Sequence, residues 1–187
     1  MDSKLQIISG RFHGRKLNLP PNARPTQNRA RAALFNMLAS GIINQNDDLT
    51  IWDAFAGSGA FGIECISRYP NAHVIFTDTS PESIQTVRKN LAMIKIGPNA
   101  TTEQIDATNA INKYGSDADL IFIDPPYDTP EIGAIFVHKL TRTAKNGAIL
   151  IWEQESINTT PPPNGWEILR DKVYGRARFL IMRRTIE

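Results

Sequence analysis

The sequence predicts an α/β protein built on a parallel sheet with helices on both faces. Three observations lead there. From residue 50 onward, short apolar strand patterns alternate with segments of helical spacing, as a sheet with crossover helices requires. A glycine-rich turn, Gly57-Ser-Gly59-Ala-Phe-Gly62, lies between the first of these strands and the helix that follows. Aspartates recur at strand ends: Asp53, Asp78, Asp106 and Asp124.

The elements follow in order. Residues 4–19 read as a β-hairpin, with Leu17 and Leu19 alternating with polar neighbours and Gly10 and Gly14 in the connection. Pro20-Pro21 ends it. A helix is expected over residues 27–40, where Leu34, Met37 and Leu38 share a face and Gly41 supplies a stop. Strands are expected at 50–54, 73–78, 101–105, 119–124 and 148–153. The first intervening helix runs from Gly59 to about Tyr69-Pro70. The next opens at Ser80-Pro81-Glu82, a capping residue followed by proline at the first helical position. Its apolar face is Ile84, Val87, Leu91 and Ile94. A helix over residues 130–143 ends at Asn146-Gly147, a left-handed cap signal. After three prolines at 161–163, residues 166–173 and 178–184 read as two strands joined at Tyr174-Gly175. A terminal hairpin is thus added to the parallel sheet.

With 187 residues, one domain is expected. Residues 1–41 form its basic hairpin and helix, and residues 42–187 its core. Cys65 is the one cysteine, which excludes an intramolecular disulfide and a multi-cysteine metal site. His13, His73 and His138 lack ligand spacing, so no metal is expected. No apolar run approaches the roughly 18 residues of a membrane span. The N-terminal stretch lacks the apolar segment of a secretory signal. A cytoplasmic protein with no membrane partner is expected.

The net charge of +2 conceals a segregation. Residues 1–36 carry seven basic side chains against Asp2 alone, and residues 168–187 carry six against Asp171 and Glu187. The middle of the chain is acidic. Basic ends on an acidic core suit a polyanionic partner.

The G-x-G-x-x-G turn lets backbone approach a ligand and sets it at a helix N-terminus. By itself it fits nicotinamide dinucleotides, flavins and S-adenosylmethionine alike. Asp78 stands 16 residues past Gly62, where a carboxylate can accept both hydrogen bonds from a ribose diol. Asp106, followed by Ala107, can accept from an adenine amino group. Asp124-Pro125-Pro126-Tyr127 is the most informative feature. Its prolines fix the backbone and remove two amide donors. A carboxylate, outward carbonyls and an aromatic ring remain, which suit a planar ligand bearing an amino group.

These residues resemble class I S-adenosylmethionine-dependent methyltransferases, among which D/N-P-P-Y/F marks enzymes that methylate exocyclic or amide nitrogens. The closer resemblance is to the bacterial small-subunit ribosomal RNA guanine-N2 methyltransferases, the RsmD family. It rests on Gly10-Arg11-Phe12-His13-Gly14-Arg15-Lys16-Leu17, on Arg24-Pro25-Thr26, Arg29, Arg31 and Leu34-Phe35-Asn36, and on the segment Asp53 to Glu64. Ser67-Arg68, Asp124–Tyr127 and Lys172-Val-Tyr174-Gly175 complete it.

The resemblance implies a Rossmann-like, mostly parallel seven-stranded sheet. Carried over residue by residue, Asp53, Gly57, Ser58 and Gly59 lie at the methionine part of S-adenosylmethionine, Asp78 at its ribose, and Asp106 with Ala107 at its adenine. Asp124, Pro125, Pro126 and Tyr127 form the target-base pocket. Arg11, His13, Arg15, Lys16, Arg24, Thr26, Arg29 and Arg31 face RNA. The implied partner is 16S rRNA or an assembling small subunit, and a monomer is expected. The family pattern R-P-T-T-D-R-x-R-E is altered here by Gln27, Asn28 and Ala32, which removes two negative charges beside three arginines. Other readings are an adenine-N6 or other amino methyltransferase on nucleic acid, a nicotinamide dehydrogenase, and a non-catalytic RNA-binding ribosome-assembly factor.

Overall fold

The computed structural model describes residues 5–21, 28–95, 99–157 and 159–186. Seven strands form one sheet: β1 (Thr50–Asp53), β2 (His73–Asp78), β3 (Ala100–Gln104), β4 (Leu120–Ile123), β5 (Ile149–Glu155), β6 (Trp166–Tyr174) and β7 (Ala177–Arg184). Their order is β3-β2-β1-β4-β5-β7-β6. The first five are parallel, and β7 pairs antiparallel with both β5 and β6. The expected terminal hairpin is therefore present, with its second strand against the parallel sheet and its first at the edge.

Among the described residues, five helices cover the sheet: α1 (Asn28–Ala39), α2 (Ala60–Arg68), α3 (Pro81–Met93), α4 (Ala107–Tyr114) and α5 (Pro130–Leu140). Leu34, Phe35 and Leu38 of α1, Ile63 and Ile66 of α2, and Val87 and Leu91 of α3 share one core with Ile51, Val74 and Phe122. Ala110 and Ile111 of α4, with Phe136, Val137 and Leu140 of α5, share the other with Trp52, Ile121 and Leu150. The strands thus bury both faces, which explains their unbroken apolar runs. The helix α4 is absent from the sequence reading, which placed only Asp106 and Ala107 there.

The N-terminal hairpin is narrower than expected. It closes through a single bridge, Gln6 opposite Lys16, with Leu17 N–H donating to Leu5 O at 2.9 Å. Leu5, Ile7 and Leu17 are buried in the α1–α3 core, so this basic segment is docked along its apolar side. Glu64 holds it there. Its carboxylate accepts from Ile8 N–H at 2.8 Å and Ser9 N–H at 3.0 Å. Gly10, at φ +85°, passes so close to the Ser67 carbonyl that a Cβ would lie 2.1 Å from its oxygen, so glycine is required.

Candidate active site

The chain leaves β1, builds β2 and β3 on one side, and returns to place β4 on the other side of β1. Ligands bind at such a reversal, beyond the carboxyl ends of the strands. Asp53 ends β1 and Asp124 follows β4, so the reversal sets two carboxylates side by side. They line one cavity of about 120 Å³ with Glu153 of β5, Arg31 of α1, and Gly57, Ser58 and Ala60.

The glycine turn shapes one wall. Gly57 has φ +53° and nothing within 4 Å of where its Cβ would stand, so the backbone there faces open space. Gly62 serves packing instead, since a Cβ would meet the Phe76 ring at 2.3 Å. Asp78 braces the turn: its carboxylate accepts from Gly57 N–H and Ser80 N–H, each at 2.9 Å. Each oxygen keeps a further lone pair for a ligand. Asp78 and Asp106 stand outside the cavity lining, at the next strand ends along the same edge. Asp106 caps α4, accepting from Asn109 N–H at 3.0 Å. Ala107 begins that helix and is buried.

Acids dominate the electrostatics. Asp53 is buried and accepts from Gly62 N–H at 3.0 Å through Oδ2, while Oδ1 has no partner among the described residues. Burial pushes its pKa up to about 8, opposed by the Gly62 bond and reinforced by Asp78. Burial likewise raises Asp124 well above the usual carboxylate range, with Glu153 and Asp53 adding to the shift. Glu153 is pushed up to about 7 by burial, opposed by its bond from Tyr127. Its Oε1 accepts from Tyr127 Oη at 2.9 Å, and its Oε2 has no partner among the described residues. Three acids with raised pKa values around one cavity mark it as the candidate functional site.

The tetrapeptide divides. Asp124 lines the cavity shared with Asp53, whereas Pro125, Pro126 and Tyr127 line a smaller one of about 20 Å³ that shares Glu153. Glu153 was missed by the sequence reading, although the expected strand 148–153 ends on it; in the structure β5 continues to Glu155.

Arg11, His13, Arg15, Lys16 and Arg29, expected to face RNA, are exposed. The Arg11 and Arg15 guanidiniums also donate to the carbonyls of Ile66 at 2.8 Å and Met93 at 3.0 Å. Arg24 and Thr26 lie outside the described residues. Arg31 corrects the expectation that it faces RNA. It is 2% exposed, because it precedes Leu34, Phe35 and Leu38 by three, four and seven positions on the buried face of α1.

Residues 5–183 match the family model described as Conserved hypothetical protein 95. Ribosomal RNA small subunit methyltransferase D of Escherichia coli strain K12 is 33% identical over 98% of this chain and 92% of its own length. The chain belongs to the ribosomal RNA small subunit methyltransferase D family. The family member from Buchnera aphidicola (Acyrthosiphon pisum) is 32% identical over 92% of this chain and 89% of its own. The solved structure of the Escherichia coli protein yhhF is 32% identical. It superposes at a TM-score of 0.82, covering 99% of this chain and 100% of that one. The fold is also that of an RNA methyltransferase from Salinibacter ruber in complex with S-adenosyl-L-homocysteine, at TM-score 0.67 and 15% identity, covering 88% of this chain and 95% of that one.

Proposed function

We propose that this protein transfers a methyl group from S-adenosylmethionine to the exocyclic N2 amino group of a guanine in small-subunit ribosomal RNA. The observation that carries this reading is the cavity at the β1–β4 reversal. It is walled by the glycine turn and by Asp53, Asp124 and Glu153, in a chain of the methyltransferase D family.

The residues fit the cofactor. The unpartnered Asp53 Oδ1 offers an acceptor to a cation, Gly57 leaves open space beside the backbone, and Asp78 keeps lone pairs for a diol. When bound, S-adenosylmethionine supplies an electrophilic methyl group on a sulfonium. The acids stabilise positive charge near that sulfur. Asp53, Gly57, Ser58 and Gly59 would hold the methionine part, Asp78 the ribose, and Asp106 and Ala107 the adenine.

The chemistry at nitrogen falls to Asp124. The N2 lone pair of guanine is delocalised into the ring, so the amine is a weak nucleophile. Accepting its protons at the Asp124 carboxylate and the Pro125 carbonyl directs the lone pair toward the methyl group. The carboxylate would then stabilise the charge that develops on nitrogen and take up the proton that the methylated nitrogen sheds. A base reaching this depth must be unpaired and out of its stack. Tyr127 offers it an aromatic surface. The exposed basic side chains of the docked hairpin, with Arg29, supply phosphate contacts that orient the RNA. No helix among the described residues is long and apolar enough to cross a membrane. A ribosomal RNA substrate sets the reaction in the cytoplasm.

The test is labelled methyl transfer from S-adenosylmethionine to small ribosomal subunits, naked 16S rRNA and DNA, followed by nucleoside analysis. N2-methylguanosine from an rRNA substrate supports the assignment. N6-methyladenosine, or label in DNA alone, overturns it.

A further inference from the structure

Arg31 carries more unmet bonding capacity than any structural role consumes. It is 2% exposed, and its Nη2 donates to the Gln6 carbonyl and, at 3.3 Å, to Asn28 Oδ1. Its Nε and Nη1 are buried without a hydrogen-bond partner among the described residues. Its counter-ion is shared. Glu64 lies 3.9 Å from Arg31 Nε but 2.7 Å from Arg68 Nε, and it also accepts two backbone N–H groups. Two guanidiniums against one carboxylate leave a positive charge uncompensated in this cluster. Burial and the neighbouring Arg68 pull the Arg31 pKa down, opposed by Glu64. A buried guanidinium left in this state implies an anion that completes it.

The place of Arg31 says which anion. Arg31 lines the same cavity as Gly57, Ser58 and Ala60, where α2 begins. The N-cap residue Gly59 has no side chain, and although Asp53 takes the Gly62 N–H, the dipole of that helix also favours negative charge. An RNA phosphate cannot reach a side chain this buried while remaining on a nucleic-acid backbone at the surface. The same cavity is lined by Asp53 and Glu153, whose Oδ1 and Oε2 are unpartnered acceptors among the described residues. A buried donor group and two acceptors around one cavity match the carboxylate and ammonium of a zwitterionic amino acid.

We infer that Arg31 binds the α-carboxylate of the amino-acid portion of the cofactor. This rests on the S-adenosylmethionine reading and names the residue that recognises one end of that molecule. It also reassigns a residue of the basic N-terminal region from RNA to cofactor.

Calorimetry of the wild type, Arg31→Gln and Arg31→Lys tests it with two ligands, S-adenosylhomocysteine and 5′-methylthioadenosine, which lacks the amino-acid portion. Loss of charge-assisted hydrogen bonds should weaken S-adenosylhomocysteine binding to Arg31→Gln by roughly 10- to 100-fold. Binding of 5′-methylthioadenosine should stay at the wild-type level, and Arg31→Lys should recover part of the loss. An equal loss for both ligands would show that Arg31 only supports the fold. Unchanged S-adenosylhomocysteine binding would assign Arg31 to another anion or to the target base. Either result overturns the inference. A wild-type protein that binds neither ligand would overturn the cofactor reading itself.

Discussion

The Tyr127 hydroxyl donates a 2.9 Å hydrogen bond to Glu153 Oε1 and thereby ties the loop after β4 to β5. The bond joins the two cavities, because Glu153 lines both. Burial and the nearby Glu153 and Asp124 carboxylates raise the Tyr127 pKa, so its hydroxyl stays a donor throughout the neutral range. Tyr127→Phe leaves both oxygens of a carboxylate that is 5% exposed without a partner. It should lower stability by about 1–3 kcal/mol. In a Glu153→Gln background the same change should have a smaller effect, since no charge is stranded. Denaturant unfolding of the two single variants and the double variant measures the coupling. Additive effects would mean the bond contributes nothing.

Asp53 makes the stability of the ligand-free protein depend on pH. Its pKa rises from 3.8 to about 8 on folding, so the folded state binds its proton more tightly than the unfolded state. The stabilisation is complete below about pH 4 and is lost as pH rises towards about 8. Asp53→Asn keeps an acceptor for Gly62 N–H and has no charge to bury. The melting temperature of Asp53→Asn relative to wild type should therefore climb between about pH 4 and about pH 8 and then level off. Parallel melting curves across that range would contradict the burial of a titrating Asp53.

Glu64→Ala should be among the most damaging single changes. It removes the acceptor of Ile8 and Ser9 N–H and strands Arg68 and Arg31. Breaking a buried pair in this way costs about 3–5 kcal/mol. Because those bonds dock the N-terminal hairpin, amide exchange at Ile8 and Ser9 should accelerate before exchange in β1 or β4. Uniform acceleration would mean the hairpin unfolds only with the sheet.

Much of this site was legible in the sequence because its signals are local. The glycine turn, the period of α3 and the proline-fixed Asp124–Tyr127 loop depend on neighbours in the chain. The misses are tertiary or short. The helix α4 has only eight residues, with Ala107, Ala110, Ile111 and Tyr114 as its buried face, and two alanines are a weak apolar signal. The family resemblance sets Arg31 among the RNA-facing residues, yet its spacing to Leu34, Phe35 and Leu38 places it on the core face. Glu153 ends an expected strand as Asp78 and Asp124 do. Its importance appears only when β5 is set beside β4.

The basic hairpin should contribute salt-dependent RNA affinity. Arg11, Arg15 and Lys16 are exposed while Leu5, Ile7 and Leu17 are buried, so the charges are presented on a fixed surface. Replacing the three with alanine should weaken RNA binding and reduce the slope of log affinity against log salt. Binding of S-adenosylhomocysteine should be unaffected. An unchanged slope would mean that these charges do not contact RNA phosphates.

Asp124 carries the chemical step in this mechanism, and its variants should separate that role from binding. Asp124→Ala removes a charged acceptor, while Pro125 and Pro126 continue to fix the backbone. By analogy with the loss of one oxyanion-hole donor, the expected cost is about 2.7–4 kcal/mol, or about 10²–10³ in rate. Asp124→Asn should be milder, because its carbonyl still accepts one hydrogen bond. The pH dependence adds a second check. Burial, then Glu153 and Asp53, hold the Asp124 pKa well above its usual range, so its active carboxylate form gains population as pH rises. The wild-type rate should accordingly increase with pH, and Asp124→Asn should lose the part of that increase due to Asp124. Single-turnover methylation at saturating RNA and cofactor isolates the step. A near wild-type rate for Asp124→Ala there would leave the amino group to the Pro125 carbonyl and the Tyr127 ring.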